Sequence, residues 1–417
     1  MDQFSYSQQL IEVLSQLDAL TNWEERPRGG MRVNLDPIAD LMHRLGEPHR
    51  RFQSIHVAGT KGKSSTCALL EAALMKGNIR VGRYTSPHVD HICERISISG
   101  HPVAELDLAN AITATLAALR AARTAGTSAK DATWFDILTA SAFLLFQKYN
   151  VEWAIVETGL GGRLDSTNIL ASDVQVITNV ELEHTEVLGS TRSQIAFEKA
   201  GIIKQGSHVI TPLSGTDEAG QVIEARANEL GAILARSAPG VTILERNKNV
   251  ARQVLKAVNL LNGNIGDWLL DDDTAASTKL PGRLEFCTAE VNGTMVPVVF
   301  DGAHVPFNLA AVLTDIEGKI SAQPCVAVVA IAIDKDADGL LRVLRDWNVQ
   351  AIFTEANSRS RSSRDLHDLA KGIGLRSSTA ENPGSAYLAA LHQASEQRGW
   401  VLVTGSLYLV SLVHQFA

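Results

Sequence analysis

The chain has 417 residues, of which 45% are hydrophobic and 20% charged, and its formal net charge is -8. That length suits two domains, or three small ones, better than a single core, and the mix excludes both a disordered chain and a coiled-coil rod. With 38 basic against 46 acidic residues, the average carries no footprint of a general nucleic-acid binder, although a local basic patch can still hold phosphates. No apolar run approaches the roughly 18 residues of a membrane span, and the polar start MDQFSYSQQ does not read as a signal peptide. Cys67, Cys93, Cys287 and Cys325 lie far apart with no C-x-x-C, so neither a disulfide framework nor a cysteine zinc site is expected. A reducing cytoplasm is the expected location.

The first fifty residues read as helical, with Leu10, Leu14 and Leu17 at helical spacing and a second periodic stretch from Ile38 to Leu45. RPRGGMRVNLDP between them reads as a loop. Short apolar strands then alternate with helices: SIHVAG, a helix from Ser64 to Lys76, IRVGRYTS, helices around Leu108 to Ala122 and Trp134 to Tyr149, WAIVETG and VQVITNV. That alternation predicts an α/β domain with a mostly parallel sheet. The stretch from Asn262 to Pro281 is polar, acidic and aperiodic, and reads as a linker or inter-domain segment. A second alternating series follows: MVPVVFDGAH, a helix around Leu309 to Glu317, CVAVVAIAIDKD, a helix around Leu340 to Trp347, AIFTEA and WVLVTGS. The expected architecture is an ATP-binding α/β domain of the P-loop type over 1–278 and a smaller Rossmann-like α/β domain over 279–417. Two such domains facing each other would leave a cleft, a usual place for a site.

Gly59-Thr60-Lys61-Gly62-Lys63-Ser64-Ser65 lies between a predicted strand and a predicted helix. Its glycines let backbone amides turn toward an anion, the helix N-terminus adds its dipole, Lys63 can reach terminal phosphates and Ser64 can ligate Mg²⁺. The residue five before Gly62 is Val57 and not the usual glycine, and a serine-capped turn is the bland alternative. Strand, helix and G-K-S-S together favour nucleotide phosphates.

Three more strand ends carry groups that a phosphoryl-transfer site needs: Thr85-Ser86-Pro87-His88, Glu157 leading into Thr158 to Asp165, and Glu183-His184-Thr185. Mg²⁺ prefers hard oxygen ligands, so Ser64, Ser86 and Glu157 form a plausible set for one ion, and His184 with Glu157 for a second. Ser86 taken alone reads equally as a cap or turn residue. Gly159-Leu160-Gly161-Gly162 is no dinucleotide fingerprint, because Leu164 stands at the third glycine position. Lys199, in IAFEKAGI, has apolar neighbours; it reads either as an ion-pair partner of the adjacent Glu198 or as an amine of lowered pKa that can react with CO₂.

At this point the motifs resemble a known family, the bifunctional dihydrofolate synthase and folylpolyglutamate synthase proteins of the Mur ligase superfamily. HVAGTKGKSST, RYTSPHV with ERISISG, WFDILTASAF, VETGLGGRLDSTN, EHTEVLGSTRSQIAFEKAGI, PGRLEF, DGAHVP, IDKDADGLL and VTGSLYLV occur in the family's order from about Arg50 to Val413. The resemblance implies ATP-dependent amide ligation in folate biosynthesis and one-carbon metabolism. A pteroate- or folate-type carboxylate takes the γ-phosphoryl group of ATP, and L-glutamate then displaces phosphate. It implies that Lys63 and the loop amides hold phosphates, that Ser64, Ser86 and Glu157 bind one Mg²⁺, and that Glu157, His184 and an N6-carboxylated Lys199 bind a second. It further implies that Arg283 contacts the nucleotide phosphates, Asn249 the adenine, Asp301 and His304 the ATP and glutamate sites, and Ser406 a substrate or linker. Asp334-Lys335-Asp336 reads either as a further contact or as a helix start.

The chain departs from the family at Val305, where asparagine is usual, and at Glu183, where aspartate is usual. The interval from Lys199 to Pro281 is short and lacks a His-Gln pair before Asn249, with Arg246 and Asn247 nearby; a family proline is missing from NSRSRSSRD. The expected function is glutamate ligation to dihydropteroate, a folate or both. The alternative is a paralogue joining another acid and amine; a nucleotide-binding protein without ligation is a third reading. A monomer is the expected state, with small-molecule substrates and neither nucleic acid nor membrane as partner.

Overall fold

The computed structural model describes residues 6–24 and 34–416. RPRGGMRV, most of the expected first loop, and MDQFS at the polar start lie outside the described residues. The chain divides into two compact units, Met1–Thr278 and Lys279–Ala417.

The first unit opens with helices α1 (Gln8–Asp18) and α2 (Asp36–Arg44). Its sheet has strands β1 (Gln53–Ala58), β2 (Val81–Tyr84), β3 (Ile96–Ile98), β4 (His101–Pro102), β5 (Trp153–Glu157), β6 (Val174–Ile177), β7 (His208–Thr211) and β8 (Ile233–Arg236). Between and after them run α3 (Lys63–Lys76), α4 (Glu105–Ala125), α5 (Trp134–Lys148), α6 (Thr185–Leu188), α7 (Arg192–Ala200), α8 (Glu218–Glu229), α9 (Ile243–Asn262) and α10 (Asp272–Ser277). The spatial order is β4-β3-β2-β5-β1-β6-β7-β8, parallel from β2 to β8 and antiparallel at β3 and β4. The chain leaves β1 toward β2, returns to β5 and later crosses to β6, so the order reverses beside β1. Ligands of open parallel sheets gather outside the strand C-termini at such a switch point.

Both faces of this sheet are covered, which is why β5 is an apolar run up to Glu157 and β1 is buried from Ser54 to Ala58 even where it carries Ser54 and His56. On one face α1, α2, α4 and α5 bring Leu17, Leu41, Ile112 and Phe143 against Tyr84 and Val156. On the other, α3 and α9 bring Leu70, Leu74, Val254 and Val258 against Ile55, Val57 and Ile155. The helices start on local signals. Capping boxes open α5 at Thr133 with Asp136, α7 at Thr191 with Gln194, and α9 at Thr242 with Glu245.

The stretch from Asn262 to Pro281 is largely not a linker. Up to Thr278 it belongs to the first unit, Asp271 caps α10, and Ile265, Leu270 and Ala275 are buried in the α3–α9 cluster. Three apolar residues spread over eleven positions give no period, yet each buried side chain of the Ile or Leu kind contributes about 1.5–3 kcal/mol.

The second unit has β9 (Glu285–Val291), β10 (Thr294–Phe300), β11 (Cys325–Val329), β12 (Gln350–Phe353), β13 (Ser377–Thr379) and β14 (Trp400–Thr404). Its helices are α11 (Pro306–Ile316), α12 (Ala337–Asp346), α13 (Ser363–Gly372), α14 (Pro383–Gln397) and α15 (Leu407–His414). The order is β13-β12-β11-β14-β10-β9, parallel except at edge strand β9. Every residue of β11 is buried, as the run CVAVV suggested. Among the described residues, no helix is long and apolar enough to cross a membrane.

Candidate active site

The phosphate loop leaves the C-terminal end of β1 beside the switch point. Gly59 has φ +153° and Gly62 φ +81°, and a Cβ on either would strike a neighbour: Thr178 Oγ1 at 1.9 Å for the first, Asn247 Oδ1 at 2.6 Å for the second. Left-handed backbone and close approach both demand glycine at Gly62. Gly62 is the N-cap of α3 and offers no side-chain cap, so the amides of the first turn lack intrahelical acceptors and suit an anion.

The loop does not present all its amides alike. Thr60 N–H and Lys61 N–H donate to Asn179 Oδ1 at 3.1 and 2.7 Å. The Thr178 hydroxyl donates to Lys61 O at 2.6 Å, and Glu181 N–H to the Thr60 hydroxyl at 3.0 Å. The Lys61 ammonium lies 3.1 Å from Glu183 Oε1. The segment after β6 thus braces Thr60 and Lys61, leaving Gly62 to Ser65 as the amides by position open to a phosphate. Asn179, Thr178 and Asn247 went unmarked as loop contacts; each is an ordinary polar residue until the fold brings it to the loop. Asn247 is buried beside Gly62, whereas Asn249, expected at adenine, donates its amide to Pro239 O at 2.8 Å.

Lys63 donates to Gly59 O at 3.1 Å and lies 3.7 Å from Glu157 Oε1. Glu157 ends β5, the neighbour of β1, and is only 2% exposed. Lys199, near the end of α7, is 4% exposed. Burial pushes its ammonium down to about 7, the Lys63 and Lys61 charges push the same way, and Glu183 opposes them. Lys199 therefore shares a field with Lys61, Lys63 and Glu183. Glu198 is not its partner, for that carboxylate pairs with Arg163 at 2.8 Å; neighbouring helix positions point about 100° apart.

Ser86 is buried just past β2. His184 is the N-cap of α6 with φ 54°, a left-handed conformation uncommon outside glycine.

In the second unit, the loop carrying Arg283 is pinned on three sides. Leu284 N–H donates to Asp301 Oδ2 at 2.8 Å, Gly282 N–H to Glu285 Oε2 at 2.8 Å, and Gly302 N–H to Gly282 O at 3.0 Å. Asp301, expected at the nucleotide, braces the Arg283 loop here, and its Oδ1 accepts Ala303 N–H at 2.9 Å. His304 Nδ1 donates to Gly302 O at 2.9 Å, since a carbonyl only accepts. Val305 is the N-cap of α11 without a side-chain cap. Asp336 and Ser406 cap α12 and α15, so the helix-start reading holds for Asp336.

A glycine loop and a lysine set on a buried carboxylate at the C-terminal ends of the central strands of a doubly wound sheet, followed by a second, mostly parallel α/β unit, define the Mur ligase class of protein. Residues 282–407 match the Mur ligase, glutamate ligase domain. The chain belongs to the dihydrofolate synthase/folylpolyglutamate synthase family, and so to the ligases that form C–N bonds. It is 30% identical to the protein of that name from Bacillus subtilis over 93% of this chain and 95% of the relative, and 31% identical to that of Escherichia coli over 91% and 90%. Dihydrofolate synthetase of Saccharomyces cerevisiae is 29% identical over 91% of this chain and 96% of its own length. Mycobacterium tuberculosis folylpolyglutamate synthase, solved with ADP and AMPPCP, aligns with a TM-score of 0.85 at 26% identity over 98% of both chains. The Escherichia coli protein in complex with DHPP and ADP aligns at 0.81 and 27% identity over 97% of both.

Proposed function

We propose that this chain is an ATP-dependent ligase that joins L-glutamate to dihydropteroate, a folate or both. The carboxylate of the acid attacks the γ-phosphorus, the bond to the bridging oxygen breaks and ADP leaves. The glutamate amine then attacks the acyl phosphate, loses a proton and expels inorganic phosphate. The amides of Gly62 to Ser65 and the Lys63 ammonium take the phosphate charge, which fixed donors stabilise without reorganising during the step. Arg283 is the candidate for further charge at the phosphates, and the His304 imidazole is the candidate to take the proton of the incoming amine. Asn249 and the neighbouring Asn247 are the candidates for the adenine side.

The observation that carries this reading is the buried Glu157 carboxyl paired with the half-buried Lys63, with buried Lys199 in the same field. Burial of so many ionisable groups in one place is costly and is typical of sites that use them. Among the described residues no three His, Cys, Asp or Glu side chains cluster as a ready-made metal site, so a divalent ion would draw on other donors too. The buried Glu157 carboxyl fits Mg²⁺ together with the hydroxyls of Ser64 and Ser86. Glu157, His184 and a carboxylated Lys199 would hold a second ion. An amine titrating near 7 is half neutral at that pH; its lone pair forms an N–C bond with CO₂ and a proton is released, leaving an anionic oxygen donor. Bound Mg²⁺ would neutralise charge on the transferring phosphoryl group.

Relatives across more than nine-tenths of the chain carry the folate names, which favours the folate pair over a different acid and amine. Val305 leaves α11 without a side-chain cap. Cytoplasmic location and a monomeric state belong to the same reading. The test is phosphate release with ATP, Mg²⁺ and L-glutamate, with and without dihydropteroate or tetrahydrofolate. Release that requires the pteroate or the folate is expected. Equal release without either acid, or none with both, would sink the proposal.

A further inference from the structure

The segment Leu160 to Arg163 lies directly on the end of α7. Arg163 N–H donates to Glu198 O at 2.7 Å, and a Cβ on Gly162 would sit 2.8 Å from Glu198 O and 2.9 Å from Lys199 O. At its Arg163 end the Asn168 amide donates to Arg163 O at 2.9 Å and Gly201 O at 3.1 Å, and Arg163 pairs with Glu198; at its Leu160 end the segment is held by Asp165. Its Oδ2 accepts Leu160 N–H at 2.8 Å, and its Oδ1 accepts both Thr167 N–H at 3.0 Å and the Thr167 hydroxyl at 2.5 Å. The Thr167 oxygen is also 2.8 Å from Nε2 of His56, in the middle of β1. The hydroxyl has one proton and spends it on Asp165, so Nε2 is the donor and Thr167 the acceptor. His56 and Thr167 are wholly buried and Asp165 is 7% exposed. His56 Nδ1 has no hydrogen-bond partner among the described residues. A strand-centre histidine with one orphaned nitrogen is a costly choice over an aliphatic residue, and the donor at its other nitrogen is what it supplies.

We propose that His56 is a positioning residue for Lys199: through Thr167 and Asp165 it fixes the 160–163 segment that packs on the Glu198 and Lys199 carbonyls. This rests on the reading of Lys199 given above. Supporting groups of this kind orient side chains that touch the reactants.

Three variants of the full chain test it: His56→Leu removes the donor, Thr167→Val breaks the relay at its middle, and His56→Gln keeps an N–H near the Nε2 position. Residue-resolved hydrogen exchange of the Leu160 and Arg163 amides reads the relay directly. Exchange at both amides is expected to rise at least tenfold in His56→Leu and Thr167→Val and to stay within threefold in His56→Gln. In the ligase assay kcat is expected to fall about tenfold in the first two, with KM for ATP within twofold, and to recover in His56→Gln. Unchanged protection in His56→Leu, or loss in His56→Gln equal to that in His56→Leu, would overturn the proposal. A wild type that ligates no acid would sink the functional reading, while the exchange experiment would still judge the relay.

Discussion

Lys199 is held far from its free form, and its titration has a consequence for stability. The ammonium loses its proton near 7 in the folded chain against an ordinary value of 10.5. Between those pH values the unfolded chain binds more protons, so this group makes stability rise as pH increases from about 7 to 10.5. Below 7 both states are protonated and the whole cost of burying the charge is felt. Lys199→Met is therefore expected to raise the melting temperature most below pH 7, with the gain shrinking toward pH 10; a gain that grows with pH would refute the assignment. The same variant is expected to lower turnover at least a hundredfold. Glu157→Gln keeps the shape beside Lys63 but not the charge, and a loss of about 10²–10³ in kcat is expected, on the scale of deleting one preorganised electrostatic group. The sequence made Lys63, Glu157 and Lys199 legible because each stands in a motif at a strand or helix end. It did not show that Glu198 faces Arg163, because helical neighbours diverge by an angle that only a placed helix reveals.

Helix starts decide how some family differences are felt. Val305 has the extended backbone of an N-cap (φ -132°, ψ 146°) but no side chain to accept an amide of α11. Pro306 at the first helical position offsets part of the loss, since proline needs no acceptor there. Asparagine is among the best caps and is worth about 1 kcal/mol over an aliphatic residue. Val305→Asn is accordingly expected to stabilise the chain by about that amount, raising the melting temperature by roughly 3 °C in thermal unfolding; no gain would mean that the α11 start is satisfied otherwise. At the loop, Gly62→Ala is expected to raise KM for ATP at least tenfold, because a methyl group at φ +81° meets Asn247 Oδ1. Adding Asn247→Ala should recover only part of that loss, since relieving contact leaves the strained backbone. Strands such as CVAVV and the helix from Trp134 were legible because burial on two faces and apolar spacing are local properties, whereas α7 and α9, which open on capping boxes, were not marked as helices. The packing of Ile265, Leu270 and Ala275 was not legible, for it depends on a groove made by α3 and α9, far away in the chain.

The whole chain divides its candidate groups between two units, each with its own parallel sheet. The phosphate loop, Ser86, Glu157, His184 and Lys199 are in the first; Arg283, Asp301 and His304 are in the second. A two-step reaction maps onto that division if activation of the acid depends chiefly on the first set and capture of the amine on His304. Hydroxylamine separates the steps, because it intercepts an acyl phosphate whether or not glutamate is present. With ATP, Mg²⁺ and the acid, Lys63→Met is expected to lose the hydroxamate and the glutamylated product together. His304→Ala is expected to keep the hydroxamate within about threefold of wild type while the glutamylated product falls at least tenfold, the size of effect of removing a positioned proton acceptor. Equal losses of both products in His304→Ala would instead place that histidine in phosphoryl transfer, and the division of labour between the units would fail.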